Sequence, residues 1–376
     1  MEKLSEEVLA KNIKEIAEYD LVNKKVFGSC YAVYQNGEKL FEDYFGHCSV
    51  DKSVVVDGKT IFRLASMTKP ITTIATLMLV ERGLLNLEDE VSKYIPSFKQ
   101  VHITQINDGN LVDLGETKTP PTIFNLLTHT SGIGTDAQKD KLLTLNDKAT
   151  AKNLIEFYAK IGLDFEPGTE QRYSGVAAFA VLGCIIEKLV GKTLQEFYTE
   201  EIFKPLGMVD TTFVPTKEQW KRVIDMHGRT DGENCVIEMK ENCGFADYPC
   251  DHYVAGAGLF STLDDYVKFA NMLLNKGKAG VKRIISENLV EKMSSPYIKI
   301  DYKTYWGFGV RVIGDNHPNL KKGAFGWSGA YGSHFWVSPA DNAIAILMKN
   351  STVDGGSGNQ SALAFENAFK NSFEVE

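Results

Sequence analysis

Long apolar runs, an excess of basic charge, paired cysteines and low-complexity tracts are all missing from this chain of 376 residues, and each absence removes a class of protein. The longest uncharged apolar stretch, residues 176–186 (VAAFAVLGCII), falls short of the ~18 to 20 residues that a membrane-spanning helix needs, so no transmembrane anchor and no membrane partner is expected. Lys and Arg number 41 against 49 Asp and Glu, a net charge of −8, which offers no basic footprint for nucleic acid. The six cysteines, Cys30, Cys48, Cys184, Cys235, Cys243 and Cys250, are scattered as small buried side chains are in a reducing compartment. Cys243, Cys250 and His252 lack the Cys-x-x-Cys pair that would support zinc, and the reading calls for no metal. The first residues, MEKLSEEVLAKNIKEIAEYD, are acidic and polar where an export signal is basic and then apolar, so a cytoplasmic location is expected. What remains, 43% hydrophobic and 24% charged, is the balance of a folded globular protein, long enough for two domains or for one with an insertion.

Apolar residues Leu4, Val8, Leu9, Ile13, Ile16 and Ala17 recur at helical spacing, which predicts an amphipathic helix over 4–23. Two β-rich runs around Asn36-Gly37, a dipeptide suited to a type I′ turn, predict a hairpin, and a third strand is expected over 60–63. From 66 to about 276 helical periodicity dominates, with helices expected at 70–82, 122–127, 151–161, 175–190, 193–202 and 264–274, the last capped by Thr262 and that at 175–190 ended by Gly191. Residues 99–119, centred on Asn107-Asp108-Gly109, read as a hairpin excursion and 209–249 as an irregular lobe. Strand periodicity returns in TYWGFGVRVIG, HFWVSP and NAIAILMKN, before the glycine-rich DGGSGNQ and a final helix over 361–373. The expected architecture is α+β. Residues 1–65 and 285–376 would form an α/β domain, an antiparallel sheet flanked by the terminal helices, with a mainly helical domain of 66–284 inserted and the active site between them.

Three local patterns carry chemistry. In FRLASMTKPIT, Ser66 precedes Lys69 by three residues where a strand gives way to a helix, so both lie on one helical face. The Lys69 amine then reaches the Ser66 hydroxyl, and the helix N-terminus adds N–H groups and positive potential for an oxyanion. In EPGTEQRYSG, Tyr173 stands in a loop entering an apolar helix, where a phenol near an ammonium could relay protons or simply pack as an aromatic. In FGWSGAYGSHFWVSP, the small residues Gly326, Ser328, Gly329 and Ala330 are expected to open a strand along which a carbonyl could approach. The Ala330 amide would pair there with that of Ser66 as an oxyanion hole.

In sequence order, Ser66-x-x-Lys69, His129-Thr-Ser-Gly, Tyr173-Ser174, Gly256-Ala-Gly-Leu-x-Ser-Thr and the glycine-flanked strand at 326–330 resemble the serine β-lactamase-like superfamily. That superfamily includes class C β-lactamases, D,D-peptidases and family VIII carboxylesterases. The resemblance implies the β-lactamase/transpeptidase-like fold, acylation of Ser66, activation by Lys69 and proton exchange through Tyr173. Two departures bear on substrate. Gly175 stands where the superfamily's Tyr-x-Asn places a carboxamide, and Trp327-Ser328-Gly329 replaces Lys-Thr-Gly, similar to the Trp-Gly-Gly of family VIII carboxylesterases. Trp327, Ser328 and Gly329 are thereby implied as substrate-binding, and the missing carboxamide and cation favour small neutral esters over anionic β-lactams.

The expected function is therefore a serine hydrolase, a carboxylesterase acting on a small-molecule ester or amide and needing no cofactor. A β-lactamase or D-amino-acid peptidase of the same fold is the alternative within this chemistry, and a non-catalytic ligand-binding homologue the alternative outside it. His129 is assigned a structural role at a turn rather than a Ser-His-Asp triad. The stretch 326–330 lacks the last glycine of a Gly-x-Ser-x-Gly elbow, and GAGLFS from Gly256 lacks the last glycine of a dinucleotide fingerprint.

Overall fold

The computed structural model describes residues 2–140, 151–237 and 253–374. An eight-stranded antiparallel sheet organises the molecule. Its strands are β1 (Gly28–Gln35), β2 (Glu38–Gly46), β3 (Ile298–Lys299), β4 (Thr304–Trp306), β5 (Arg311–Ile313), β6 (Phe325–Ser328), β7 (His334–Ser338) and β8 (Ala343–Lys349), in the spatial order β3-β4-β5-β6-β7-β8-β1-β2. The first hairpin forms as its turn residues require: Asn36 and Gly37 take φ of 56° and 82°, as a type I′ turn demands. Helices α1 (Glu6–Val22), α2 (Thr68–Glu81), α3 (Ala151–Ile161), α4 (Ala177–Val190), α5 (Leu263–Leu274) and α6 (Gln360–Lys370) pack around the sheet.

β7 and β8 are buried along their whole length because helices cover both faces. Phe335, Val337, Ile344, Ile346 and Met348 enter the larger apolar core with α2, α4 and α5. Their neighbours Trp336, Ala343, Ala345 and Leu347 turn to a second core against α1 and α6, where Leu9, Ile13, Phe365 and Phe369 meet them. The terminal helices are thus held together on one side of the sheet, and Leu9, Ile13 and Ala17 form the buried stripe of α1 while Val8 faces solvent.

Expectation and structure part in three places. Strand 60–63 is shorter, Phe62–Arg63, and pairs with Phe260–Ser261 outside the main sheet, which fastens the chain entering α2 to the segment before α5. TYWGFGVRVIG is two strands, β4 and β5. Between them Gly309, at φ 63°, dips onto α2 so closely that a Cβ would lie 2.3 Å from Oγ1 of Thr73. Gly326 and Ser328 lie within β6, but Gly329 and Ala330 belong to the turn after it, closed by Gly332 N–H donating to the Gly329 carbonyl at 3.0 Å. The excursion at 99–119 is a hairpin of His102–Asn107 with Asn110–Glu116. Within 209–249 the described part holds a short helix, Lys217–Trp220, and a hairpin of His227–Thr230 with Glu233–Val236. Cys243, Cys250 and His252 lie outside the described residues.

Candidate active site

Ser66 sits in a single 3₁₀ turn, Ala65–Met67, that runs directly into α2, so its hydroxyl lies at the positive end of that helix. The residue before it, Ala65, is forced to φ 45°, a left-handed conformation that costs a side-chain-bearing residue about 1 to 2 kcal/mol. Surrounding bonds hold the turn in place. Leu64 N–H donates to the Leu259 carbonyl at 2.9 Å, Leu259 N–H to Thr68 Oγ1 at 3.1 Å, and Tyr266 Oη to the Met67 carbonyl at 2.9 Å. The Gly256-Ala-Gly-Leu motif is therefore the clamp on the nucleophile turn.

Lys69, one helical turn on, is fully buried and its three N–H bonds are all used. Nζ donates to Ser66 Oγ at 3.2 Å, to the Gly175 carbonyl at 2.6 Å and to the Gly256 carbonyl at 2.9 Å. The rings of Tyr173 and Phe179 lie 5.0 and 5.3 Å from it. Among the described residues no carboxylate pairs with it, so the two backbone carbonyls satisfy the buried nitrogen and leave it directed at Ser66. Gly175 and Gly256 are residues that sequence reading missed as ligands of Lys69. At Gly256 a Cβ would lie 3.1 Å from that of Phe179 and 3.4 Å from Nζ, so only glycine brings this carbonyl in without crowding.

Tyr173 completes the cluster, its Oη donating to Ser66 Oγ at 2.8 Å across 107 residues of sequence. His129 holds the loop that carries it. The His129 carbonyl accepts from Arg172 N–H at 3.1 Å and its Nδ1 from Ser174 N–H at 3.2 Å, so both neighbours of Tyr173 are tied to one residue. Burial, with a smaller contribution from the Lys69 charge, pushes the His129 imidazole well below its ordinary pKa. The ring is neutral, with the structural role expected of it.

Trp327 on β6 donates its indole N–H to Tyr173 Oη at 3.2 Å, so the phenol oxygen lies between an N–H donor and the serine hydroxyl. Trp306 on β4 was not expected here. Its ring stacks on Tyr173 at 15°, with centroids 5.8 Å apart, and packs on Trp327 at 4.7 Å and on His129 at 4.6 Å. It stands in the aromatic run Tyr305-Trp306, whose strand periodicity concealed a place beside the site. Gly329 packs so tightly on the Leu64 carbonyl that a Cβ would lie 2.4 Å from its oxygen and 3.6 Å from the Ala65 side chain, so the turn after β6 rests against the turn that carries Ser66. Ser328 directs its hydroxyl away, to His334 on the other face of the sheet. A separate groove of about 620 Å³ between α1 and α6, lined by Asn12, Tyr19 and Asn371 among others, lies on that far side as well and is no part of this cluster.

A hydroxyl at a helix start, with a buried amine and a phenol each hydrogen-bonded to it, on a β-lactamase/transpeptidase-like α+β fold, defines a serine hydrolase. The chain belongs to the Beta-lactamase family, whose model matches residues 9–365. It is 27% identical to esterase EstB of Burkholderia gladioli, over 93% of this chain and 92% of that esterase. Among solved structures it resembles EstCE1, a hydrolase with promiscuous acyltransferase activity, with TM-score 0.82 and 23% identity over 97% of this chain and 99% of that one. It also resembles the octameric penicillin-binding protein homologue of Pyrococcus abyssi, with TM-score 0.71 and 24% identity over 92% of this chain and 74% of that one. No helix among the described residues is long and apolar enough to cross a membrane.

Proposed function

We propose that this hydrolase is a carboxylesterase of small neutral esters that works through an acyl-enzyme on Ser66. The observation that carries the proposal is the convergence of Lys69 Nζ and Tyr173 Oη on Ser66 Oγ, at 3.2 and 2.8 Å. With the Lys69–Tyr173 pair one proton short, as an amine or a phenolate, Ser66 Oγ attacks the ester carbonyl carbon and its proton fills that place. The oxyanion is held by the Ser66 and Ala330 amides, each such donor being worth about 3 to 4 kcal/mol in comparable enzymes. Collapse expels the alcohol, which takes its proton back through Tyr173. Water then attacks the acyl-enzyme along the same path in reverse.

Gly175 and Trp327 support the choice of substrate. Gly175 has no side chain to bind a substrate amide, and its carbonyl is engaged by Lys69. Trp327 puts an aromatic ring, with its N–H already engaged by Tyr173, where a carboxylate-binding cation would have to stand. EstB, named as an esterase, is similar over nearly its whole length. Free thiols at Cys30, Cys48, Cys184 and Cys235 agree with a cytoplasmic location as part of this reading. The experiment is the initial rate of p-nitrophenyl butyrate hydrolysis by the protein and by Ser66→Ala, purified alike. Activity that disappears with Ser66 supports the proposal. Equal rates remove Ser66 as the nucleophile for this ester, and turnover of a cephalosporin chromogen or a D-Ala-D-Ala peptide in preference to the ester replaces the esterase with a lactamase or peptidase.

A further inference from the structure

β6 has two faces, and the cluster around Ser66 uses one. Trp327 reaches Tyr173 and Gly329 rests on the Leu64 carbonyl, while Ser328, between them, lies with its Oγ 2.8 Å from Nδ1 of His334, its cross-strand partner on β7. The other ring nitrogen, Nε2, is 3.1 Å from Oε1 of Glu366 on α6, which Arg311 on β5 also engages at 2.8 Å. Ser328, His334 and Glu366 are 4%, 3% and 1% exposed. A serine, an imidazole and a carboxylate in this order have the composition of a triad, but burial keeps substrate away from Ser328, so the chain of bonds is not a second nucleophilic site.

Its ends indicate its use. One end is the strand that carries Trp327 into the site, and the other is the C-terminal helix. Apolar packing is non-directional, whereas hydrogen bonds between buried groups fix distance and angle. The turn after Ser328 is held from the neighbouring segment as well. Gly356 N–H donates to the Ala330 carbonyl and Ser351 N–H to that of Tyr331, both at 2.9 Å. The buried Lys349 lies against Gly332, fixed by Asp354 at 2.7 Å and Ser361 at 2.8 Å.

We infer that His334 and Glu366 are positioning residues for the hydrolytic site: the chain of bonds from α6 through His334 to Ser328 sets the angle at which β6 presents the Trp327 indole to Tyr173 and the Ala330 amide to Ser66. Its kinetic consequence rests on the esterase reading above, and its geometric consequence does not. Neither residue touches substrate. With a proton on Nε2 the imidazole donates to Glu366 and accepts from the Ser328 hydroxyl, and as an imidazolium it donates to both, so either form keeps the connection.

Ser328→Ala, His334→Gln, His334→Asn and Glu366→Met are compared with the unaltered protein. The measurements are kcat and KM on p-nitrophenyl butyrate, the melting temperature, and the indole N–H proton resonance of Trp327, assigned by its loss in Trp327→Phe. Asn keeps a polar atom near the place of Nδ1 and so the bond to Ser328, whereas Gln extends toward Glu366 and gives that bond up. Ser328→Ala and His334→Gln, which break the bond to Ser328, are expected to lower kcat about tenfold or more with KM within about threefold and to shift the indole resonance, whereas Glu366→Met, which like His334→Asn keeps that bond and gives up only the link to α6, is expected to lose about threefold. His334→Asn recovers most of kcat and restores the resonance, and the Ser328→Ala/His334→Gln double variant is no slower than the slower single one. An unchanged kcat with the resonance in place overturns the inference, as does a loss of activity that follows the melting temperature and is not recovered by Asn. If the unaltered protein and Ser66→Ala hydrolyse the ester alike, or neither does, the esterase reading falls and the resonance alone decides: a shift in Ser328→Ala and His334→Gln supports the positioning role, and an unmoved signal ends it.

Discussion

Replacing Trp327 by Phe removes one N–H and leaves most of an aromatic surface, which makes it the sharpest probe of how Tyr173 works. The indole donates to Tyr173 Oη at 3.2 Å, and the same oxygen contacts Ser66 Oγ at 2.8 Å. If Tyr173 stays neutral throughout the reaction, the lost bond is worth about 0.5 to 1.5 kcal/mol, or roughly 2- to 10-fold in rate. If the phenol oxygen gives up its proton in the transition state, the indole N–H faces developing negative charge, the bond is worth about 1.5 to 3 kcal/mol, and the loss is roughly 10- to 150-fold. The mechanism proposed here passes protons through Tyr173, so the larger loss is expected, in kcat and with KM nearly unchanged. Trp327 is 8% exposed and packs on Tyr173 at 5.3 Å and on Trp306 at 4.7 Å, so the smaller ring also costs stability. That cost, about 1 to 3 kcal/mol, is read separately by urea denaturation. Steady-state kinetics on p-nitrophenyl butyrate well below the melting temperature separate the two effects. A kcat within about twofold of the unaltered protein with a raised KM would refute the reasoning, because the indole would then be a substrate contact rather than the partner of Tyr173.

Lys69→Met is expected to lower kcat by about 10²- to 10⁴-fold, because it removes the amine that contacts Ser66 Oγ, and a fluorophosphonate label that still reacts with Ser66 at the normal rate would contradict this. The same change leaves the Gly175 and Gly256 carbonyls without their donor, so a change in urea midpoint accompanies it. Gly329→Ala places a Cβ 2.4 Å from the Leu64 carbonyl oxygen, a clash with backbone that only displacement of the turn relieves. Activity should fall at least tenfold while the far-ultraviolet circular dichroism stays intact, and full activity would mean that Gly329 does not set the spacing of the oxyanion hole. Burial works against ionisation of Glu366, but the hydrogen bond and charge of His334 together with Arg311 outweigh it and hold the carboxyl at about 2, below its ordinary 4.5. A depressed carboxylate contributes stability that is present above its unfolded pKa and lost as pH falls through its folded one. Unfolding free energy should therefore decline between about pH 4.5 and 2, by about 3 kcal/mol from this group, and Glu366→Gln should flatten that decline in a urea titration.

Local patterns in the sequence were enough to place many of the helices and the first hairpin. The four-residue spacing of Leu9, Ile13 and Ala17 marks α1, Asn36-Gly37 marks the turn between β1 and β2, and α3 falls on the residues its periodicity predicts. They also brought Ser66 and Lys69 together, because residues three apart on a helix are neighbours whatever surrounds them. The order of motifs pointed to the family for the same reason, since each motif is a short string. Where the strand ends are was not legible: Gly307 and Gly309 read as strand until α2 is seen packing against Gly309, and Gly329 and Ala330 read as strand until the turn of 329–332 is seen closing.

Tertiary structure alone decided what stands around Tyr173. Ser66 lies 107 residues before it and Trp327 154 residues after it, and no periodicity reports a contact over such distances. Trp306 joined the site because β4 lies two strands from β6 in the sheet, an order set by which pairings bury the apolar faces of β7 and β8 between helices. The lone pairs that hold Lys69 belong to backbone carbonyls, whose direction no side-chain letter records. The sequence by itself thus determined which groups could react. Folding decided which of them meet, because a hydrogen bond depends on position in space to a few tenths of an ångström and sequence distance carries no such information.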